Sequence, residues 1–455
     1  MKKNTLIILL YCSFLSILHA DDFDDFANIQ PQATSNFNSQ QTYLARTLSN
    51  HDMFYDPYTF VLLELQYKTP QGIHLDFGAD MYSDSTTQGI ALNQASLQYS
   101  TDRFDFKVGK FVETLGVLDY LSITNITNPP RTPFFDDSNI NIRKLPLLMA
   151  SASTYLTKEF KVQAIAQPFD KNLNYTNVYL NTILKSLLPF YLNSVEFQNN
   201  NFNIIRDEIF LPSYNEQIAD ALNTHIQNKY KANTTLALNK ASFFLLMQYD
   251  DFDATYGFIW TNHYSEVQYI QIDENFFNSI NDILNEQDSG ALDAYLSQEN
   301  LDPISSISTY RYDQVTAYYE SSYKEIGIRS EISYRDKIPT INTLSSLSSI
   351  AIGLDHKSTN MYNSMELQYL HVPSLPKDVF TSTFVNKTDS CKSGAMEMYM
   401  KTYILGGYYN GEFELSVSPS VVIDFEVFNA TLQFYHSKLR PELDTFSLTL
   451  KATLE

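Results

Sequence analysis

From residue 60 to the C-terminus, the chain is built from short runs in which apolar and polar residues alternate. In one run Ile73, Leu75 and Phe77 alternate with His74 and Asp76. Because successive side chains of a β-strand point to opposite faces, each run predicts a strand with one apolar and one polar face. The runs are close to the ~9–11 residues that a tilted strand needs to cross a bilayer.

The connections between these runs alternate between short and long. The short ones are 69–72, 100–103, 157–159, 251–253, 322–324 and 357–360. The long ones are 83–89, 112–146, 170–239, 264–312, 336–347 and 372–394. Outer-membrane barrels have short periplasmic turns and long outer loops, whereas a soluble sandwich has no reason to sort its connections. The sequence therefore predicts an all-β fold, a transmembrane antiparallel β-barrel of about 16–18 strands.

Turn signals are weaker towards the C-terminus. Asn410-Gly411 is a two-residue hairpin signal. Ser418-Pro419 and Asn429 are further candidate turns, and the strand count depends on them.

Residues 1–20 have the layout of a secretory signal peptide. Lys2 and Lys3 precede an apolar core from Leu6 to Leu18, and the small residue Ala20 stands before an acidic run. We expect cleavage after Ala20 and export through the inner membrane to a Gram-negative outer membrane.

The remainder divides into a segment without clear periodicity, 21–59, and a barrel over 60–455. An even strand number with a periplasmic C-terminus requires residues 21–59 to cross once. They form an extra strand within 40–50 or a lumen plug, and the even count favours the strand. The barrel carries insertions at 112–146, 170–239 and 264–312.

Apolar residues at helical spacing occur inside the two longest insertions. They lie in 214–230 and 276–284, and a third such segment, 174–195, is interrupted at Pro189. We expect helical insertions in the long extracellular loops, forming a cap or a partial plug.

Composition restricts the class of partner. The formal net charge of −21 becomes −23 once Lys2 and Lys3 are removed, which argues against nucleic acid. Thirty-two Tyr and 31 Phe suit the aromatic girdles of a membrane barrel, whose surroundings are lipid and lipopolysaccharide. After cleavage Cys391 is the remaining cysteine, so no internal disulfide is expected.

The polar face of the alternating strands is expected to line the lumen. Its acidic residues are Glu64, Asp76, Asp105, Glu331, Glu366, Glu397, Glu414, Asp424 and Glu426. Its basic residues are Lys68, Lys107, Arg329 and Lys401. This excess of acids predicts a preference for cations, unless the charges pair across strands and only solvate the wall.

The insertion 112–146 is a candidate constriction. Its charged residues are Arg131, Asp136, Asp137, Arg143 and Lys144. Prolines at 129, 130 and 133 would stiffen such a loop inside the lumen. The alternative is a loop on the rim whose arginines anchor carboxylates of the wall.

Chemistry-bearing constellations are missing from the sequence. It offers no nucleophile, base and orienting group at recognisable spacing, no Gly-rich phosphate loop and no Cys/His metal spacing. We therefore expect neither an enzyme nor a bound cofactor or metal.

Part of the chain resembles an uncharacterised family of Gram-negative outer-membrane barrels. The shared features are Gly109-Lys110, Leu115-Gly116, Asn128-Pro129, and Arg143 with Pro146. The resemblance covers about fifty residues around 104–156. It implies a porin-like channel, or a barrel associated with RND-type exporters of the MmpL kind and a periplasmic shuttle that together move hydrophobic molecules.

We therefore expect a channel or transporter that lets a small solute or lipid-like molecule cross the outer membrane. The barrel-assembly machinery is an implied partner. A TonB-dependent receptor would need ~22 strands and an N-terminal plug domain, for which 21–59 is too short. A surface adhesin or binding protein using the helical loops on a barrel anchor remains the alternative.

Overall fold

The structure is a computed structural model. It describes residues 36–50, 55–69, 71–83, 88–119, 121–122, 124, 126–128, 144–169, 237–264, 269–273, 275–276, 278–279, 282, 291, 294–295, 297–298, 304–308, 310–340, 343–358, 361–374, 378–388, 391–393, 396–409, 412–425, 428–437 and 445–454.

Nearly all described residues belong to antiparallel strands. The strands of the first half are β1 (Asn36–Asn50), β2 (Tyr55–Lys68), β3 (Ile73–Ser83), β4 (Gln88–Ser100), β5 (Phe104–Phe111), β6 (Leu147–Tyr155), β7 (Phe160–Phe169), β8 (Ala237–Asp250), β9 (Ala254–Tyr264), β10 (Tyr269–Ile272) and β11 (Ile304–Ser308). Those of the second half are β12 (Arg311–Tyr323), β13 (Ile326–Thr340), β14 (Thr343–Lys357), β15 (Met361–His371), β16 (Val379–Thr388), β17 (Cys391–Ser393), β18 (Met396–Tyr409), β19 (Glu412–Phe425), β20 (Phe428–Ser437) and β21 (Thr445–Leu454).

The main sheet closes on itself, because β1 pairs with both β2 and β21. The sheet contains 19 strands, but the short β17 pairs only with β18, alongside β16, and adds no position to the ring. Eighteen strands therefore form the closed wall, and β10 and β11 form a separate two-stranded sheet. The predicted all-β antiparallel barrel is confirmed, and β1 forms the extra strand.

The two faces of the wall differ as the alternating sequence predicts. Ile332 and Ile350 on neighbouring strands are 56% and 49% exposed on the outside. Glu331 and Glu366 point inward and are 3% and 0% exposed. An apolar outer face around a polar interior suits a lipid surrounding, since water would penalise that much exposed apolar surface.

Several connections coincide with the sequence prediction. Residues 69–72, 112–146 and 251–253 join consecutive strands with those bounds, and Asn410-Gly411 separates β18 from β19.

Other predicted connections are wrong. The stretch 336–347 is mostly strand, because β13 continues to Thr340 and β14 begins at Thr343. All of β16 lies within the predicted loop 372–394.

The candidate turns at Ser418-Pro419 and Asn429 are also wrong, since they lie inside β19 and β20. Pro419 is accommodated because it pairs with Thr402 on β18, while the pairing of β19 with β20 skips residues 418 and 419. Because proline has no N–H, Pro419 could not donate a hydrogen bond to the second neighbouring strand, β20.

The predicted signal peptide and the helical segments 174–195 and 214–230 lie outside the described residues. The segment 276–284 is described only at scattered positions, so the helical insertions stay a prediction. Within the described part of the chain, no helix has the length and hydropathy needed to span a bilayer.

Candidate functional site

The first part of the insertion between β5 and β6 folds into the lumen. We call residues 112–128 the crossing loop. Its base is fixed by Asn128, whose Oδ1 accepts a hydrogen bond from the Glu113 N–H at 2.7 Å. The Asn128 Nδ2 donates to the carbonyls of Phe111 at 3.1 Å and Leu145 at 2.9 Å. The side-chain amide of Asn128 thus links the crossing loop to both ends of the insertion, at Phe111 and Leu145.

The far part of the crossing loop is held by Glu331 on β13. The Glu331 Oε1 accepts hydrogen bonds from the N–H groups of Val117 at 2.8 Å and Leu118 at 3.2 Å. The hydroxyls of Ser122 and Thr124 donate to the same carboxylate at 3.0 Å. Such charge-assisted bonds are about twice as strong as neutral ones.

Glu366 on β15 holds the next turn of the loop. Its Oε1 accepts from the Asp119 N–H and its Oε2 from the Leu121 N–H, both at 2.8 Å. Gln368, also on β15, donates to the Leu121 carbonyl at 2.6 Å. The wall therefore binds the loop mainly through backbone groups.

Arg329 brings the charges of this cluster together. Its Nη1 donates to the Val117 carbonyl at 2.9 Å and to Asp119 Oδ2 at 2.8 Å. Its Nη2 lies 2.8 Å from Asp355 Oδ2 and 3.5 Å from Glu366 Oε1. One buried guanidinium thus links the loop to β14 and β15.

Two glycines stand where the loop and the wall approach each other closely. Gly116 has φ +89°, and a Cβ there would lie 2.6 Å from Glu331 Oε1. A Cβ at Gly353 on β14 would lie 2.8 Å from Leu118 Cδ2, so Leu118 packs directly over this backbone.

The other side of the crossing loop is apolar. Leu115, with Val117 and Ile126 packed alongside, joins a cluster of inward side chains. The wall members of that cluster are Phe111, Leu147, Met149, Ile165, Phe244, Leu246, Ile259 and Tyr318. The loop therefore covers the apolar inner face of strands β5 to β12. On its other side it contacts the polar inner face of strands β13 to β15.

Glu113 lies where the loop leaves the wall. Its Oε1 accepts a hydrogen bond from Gln163 Nε2 at 3.0 Å. Burial raises the pKa of the Glu113 carboxyl, and the Gln163 bond opposes this increase.

Of the predicted lumen acids, Asp76 and Asp105 have local partners. Asp76 accepts from Ser96 Oγ at 3.2 Å and lies 3.7 Å from Lys107 Nζ. Asp105 Oδ1 accepts from Gln98 Nε2 at 2.9 Å. On β3 to β5 these charges therefore pair across strands, which was the predicted alternative to a cation-preferring lining.

The remaining predicted residues are placed as follows. Glu397 and Asp424 face each other across β18 and β19, and Lys144 is 7% exposed just before β6. Glu414 is at an inward register position of β19, as is the buried Ser416. Outside the described residues are Arg131, Asp136, Asp137, Arg143 and Glu426.

Sequence reasoning missed most partners of the loop. Asp119, Asp355 and Gln368 were not predicted, although the predicted connections leave Asp355 and Gln368 within strands and parity places both inward. Further inward bases by parity are Lys161, Arg335, Lys387 and Lys451, whereas a bulge between Arg335 and Ile338 interrupts the alternation at Lys337. By the same parity Asp80, Asp250, Glu320 and Asp355 are further inward acids, so the described wall carries more charges of both signs than the sequence indicated.

A closed 18-stranded wall with a loop folded into its lumen defines the porin class of β-barrel folds. Among solved structures, the chain is similar to OccK11 (OpdR) of Pseudomonas aeruginosa, with 8% identity and a TM-score of 0.50 over 92% of this chain and 96% of that one. It is also similar to OccAB4 of Acinetobacter baumannii, with 10% identity and a TM-score of 0.48 over 93% and 99%.

An anion-selective porin from Comamonas acidovorans matches with 7% identity and a TM-score of 0.42 over 92% of this chain and 100% of that one. No protein-family model and no curated protein matches the sequence. At these identities the likeness describes the fold.

Proposed function

We propose that this chain is a channel of the Gram-negative outer membrane through which small water-soluble molecules diffuse. The observation that carries the proposal is the binding of the crossing loop by Glu331 and Glu366. A barrel of about 18 strands leaves an aqueous channel, and a loop fixed inside it sets the width of that channel.

The passage follows the part of the wall that the crossing loop leaves uncovered. The described contacts of the loop fall on strands from β5 to β15. Beyond them, β16 and β19 carry small inward hydroxyl side chains that are only 1–6% exposed, among them Thr383, Ser416, Ser418 and Ser420. A polar inner wall favours hydrated solutes over lipid-like ones.

The chemistry of the anchor explains why the loop is a stable constriction. The backbone N–H groups of residues 117–119 and 121 are fixed donors, and the buried carboxylates of Glu331 and Glu366 accept their hydrogen bonds. Releasing the loop would leave both carboxylates to be rehydrated and would expose the apolar cluster around Leu115. Permeation is therefore passive diffusion past a rigid loop.

The adhesin alternative would place function in the insertions 170–239 and 264–312. A loop fixed inside the lumen has no role in that function, whereas in a channel it sets the width of the passage.

The test is planar-bilayer recording of the full chain and of the double variant Glu331→Gln, Glu366→Gln. At position 366 the glutamine NH₂ must face one of two backbone donors, and at position 331 the hydrogen bonds lose their charge, so the loop should detach and single-channel conductance should rise with added flicker. The matched control is Asp250→Asn, Glu320→Gln, which removes the same charge from strands β8 and β12. Equal conductance of folded native and anchor-variant channels would overturn the constriction, and a native chain without conductance would overturn the channel.

A further inference from the structure

Large apolar side chains are exposed at three successive short turns of the barrel. Leu156, Phe252 and Tyr323 are 64%, 98% and 69% exposed. Their turns are neighbours, because β6, β7, β8, β9, β12 and β13 follow one another in the wall. Within the described residues, only Ile90, at the opposite end of the barrel, is a large apolar side chain exposed to a similar degree. We call Leu156, Phe252 and Tyr323 the apolar turn surface.

The backbone beneath the apolar turn surface is fixed. The Phe252 N–H donates to Asp251 Oδ1 at 2.7 Å. The Asp250 N–H donates to the Glu159 carbonyl at 2.8 Å, which joins the turn of Phe252 to that of Leu156. Neighbouring strands are about 4.8 Å apart, so successive turns are roughly 10 Å apart. A rigid row of apolar side chains loses little conformational entropy when a partner covers it.

Other short turns at the same end of the barrel lack such side chains. The turns 69–72, 101–103 and 358–360 contain no large apolar residue. A short turn therefore does not need one for its own structure. Because water penalises exposed apolar surface, three such residues in a row indicate an interaction site.

The aromatic side chains that suit the membrane interface lie on the strands, before the turn of Phe252. Tyr249 and Tyr256 pair directly across β8 and β9, and the Tyr256 ring centroid lies 5.3 Å from that of Tyr319. Phe252 lies beyond them at the tip of the turn, between the exposed Asp251 and Asp253. Two carboxylates beside the ring disfavour its insertion among lipid phosphates. The ring is therefore presented to the aqueous side, which for short turns is the periplasm.

Charge restricts what can cover the apolar turn surface. Its turns carry four acids against two bases, namely Glu159, Asp251, Asp253 and Glu325 against Lys158 and Lys324. The chain's own segment 21–35 has four aspartates among its first five residues and is repelled. A second barrel in the same membrane points its short turns in the same direction and cannot face this surface. The charge therefore complements a basic partner from outside the membrane.

We propose that the apolar turn surface is a docking site for a periplasmic protein, which binds through apolar side chains flanked by lysines or arginines. Covering the Phe252 ring supplies affinity, and the aspartates beside it orient the partner. This inference goes beyond the proposed channel function. It uses the orientation of the barrel and holds whether or not the barrel conducts.

The experiment uses the refolded full chain in lipid nanodiscs, which leave both ends of the barrel accessible. The probe is a fluorescent peptide of alternating lysine and leucine, and its anisotropy reports binding. The native chain should bind this peptide saturably, and it should not bind the same peptide with glutamate in place of lysine. Phe252→Ser should weaken binding by about tenfold or more, since the burial of one aromatic side chain is lost.

Asp253→Asn should weaken binding less than Phe252→Ser and reduce its dependence on salt. The matched controls are Gln71→Ser and Asp102→Asn, which make similar changes at the turns 69–72 and 101–103 and should leave binding unchanged. Binding no stronger than to empty nanodiscs would overturn the docking site. Equal binding by the native chain and Phe252→Ser would overturn it as well.

A second measurement separates a protein-docking surface from a lipid anchor. Phe252→Trp is made in a chain whose one tryptophan is replaced by Trp260→Phe. Acrylamide in the water should quench the fluorescence of the new indole, and brominated phospholipids should not. Quenching by the brominated lipids would show that position 252 lies in the bilayer and would overturn the docking site, while leaving the proposed channel untouched.

Discussion

The backbone N–H of Val117 donates a 2.8 Å hydrogen bond to the carboxylate of Glu331, which stands 214 positions later in the chain. This bond joins a loop that follows β5 to a wall strand on the other side of β6 to β12. A loop held at such a distance from its own strand lies inside the lumen.

Gly116→Ala should detach the crossing loop. At φ +89° a side chain is strained, and the new Cβ would meet Glu331 Oε1 and the Ser122 hydroxyl, both at 2.6 Å. We expect higher single-channel conductance in planar bilayers. Gly327→Ala is the control, because its Cβ would meet nothing closer than 3.5 Å, and conductance that rises in neither variant would contradict the docking.

Asn128→Ala should destabilise the folded barrel by about 2 kcal/mol, since three buried backbone groups lose their partner. Urea unfolding in lipid vesicles measures the change. Asn386→Ala removes one bond, to Asn363 at 2.7 Å, and should cost less. Equal losses would show that Asn128 does not organise the base of the loop.

Stability should depend on pH through Glu113. Burial raises the pKa of its carboxyl in the folded chain, so its contribution is fully present below the ordinary glutamate pKa. That contribution is lost as pH rises through the higher folded value. Glu113→Gln keeps an oxygen for the Gln163 bond and should flatten this part of the profile of unfolding free energy against pH. An unchanged pH profile of the unfolding free energy in Glu113→Gln would contradict Glu113 as the titrating group.

A second pH effect is expected at the rim, where Asp378 accepts hydrogen bonds from His371 at 2.6 Å and Tyr369 at 2.7 Å. The His371 bond, followed by the Tyr369 bond, lowers the pKa of Asp378. The stability this gives is present above the ordinary aspartate pKa and lost as pH falls through the lower folded value.

His371→Ala should therefore raise the Asp378 pKa, as followed by carboxyl carbon NMR during titration. His356→Ala, next to Glu325, should leave it where it was. An unchanged Asp378 pKa in His371→Ala would exclude His371 as the cause of the lowered value.

The barrel could be predicted from the sequence because local patterns encode it. The turn 69–72 follows from Pro70 and Gly72, and Gly72 indeed has φ +82°. The failure at β16 has a local cause too. Its outward face mixes Phe380 and Phe384 with Ser382, so the apolar alternation is weak.

The hydrogen bonds that anchor the loop could not be predicted from the sequence, for a different reason. Glu331 and Glu366 were predicted to face inward, and they do. Nothing local in the sequence says that their carboxylates bind the N–H groups of Val117 and Asp119, since backbone donors have no residue-type signature. Such tertiary pairing follows from the three-dimensional path of the loop.

The most direct test is a cross-link between the crossing loop and the wall. Leu118→Cys with Gly353→Cys, in a chain whose Cys391 is replaced by Ser, places two thiols where Leu118 now packs over Gly353. Oxidation or a short bis-maleimide should join them in the folded barrel, whereas Leu118→Cys with Gly327→Cys should react less. Failure of the first pair to cross-link in a folded barrel would contradict a loop that crosses the lumen.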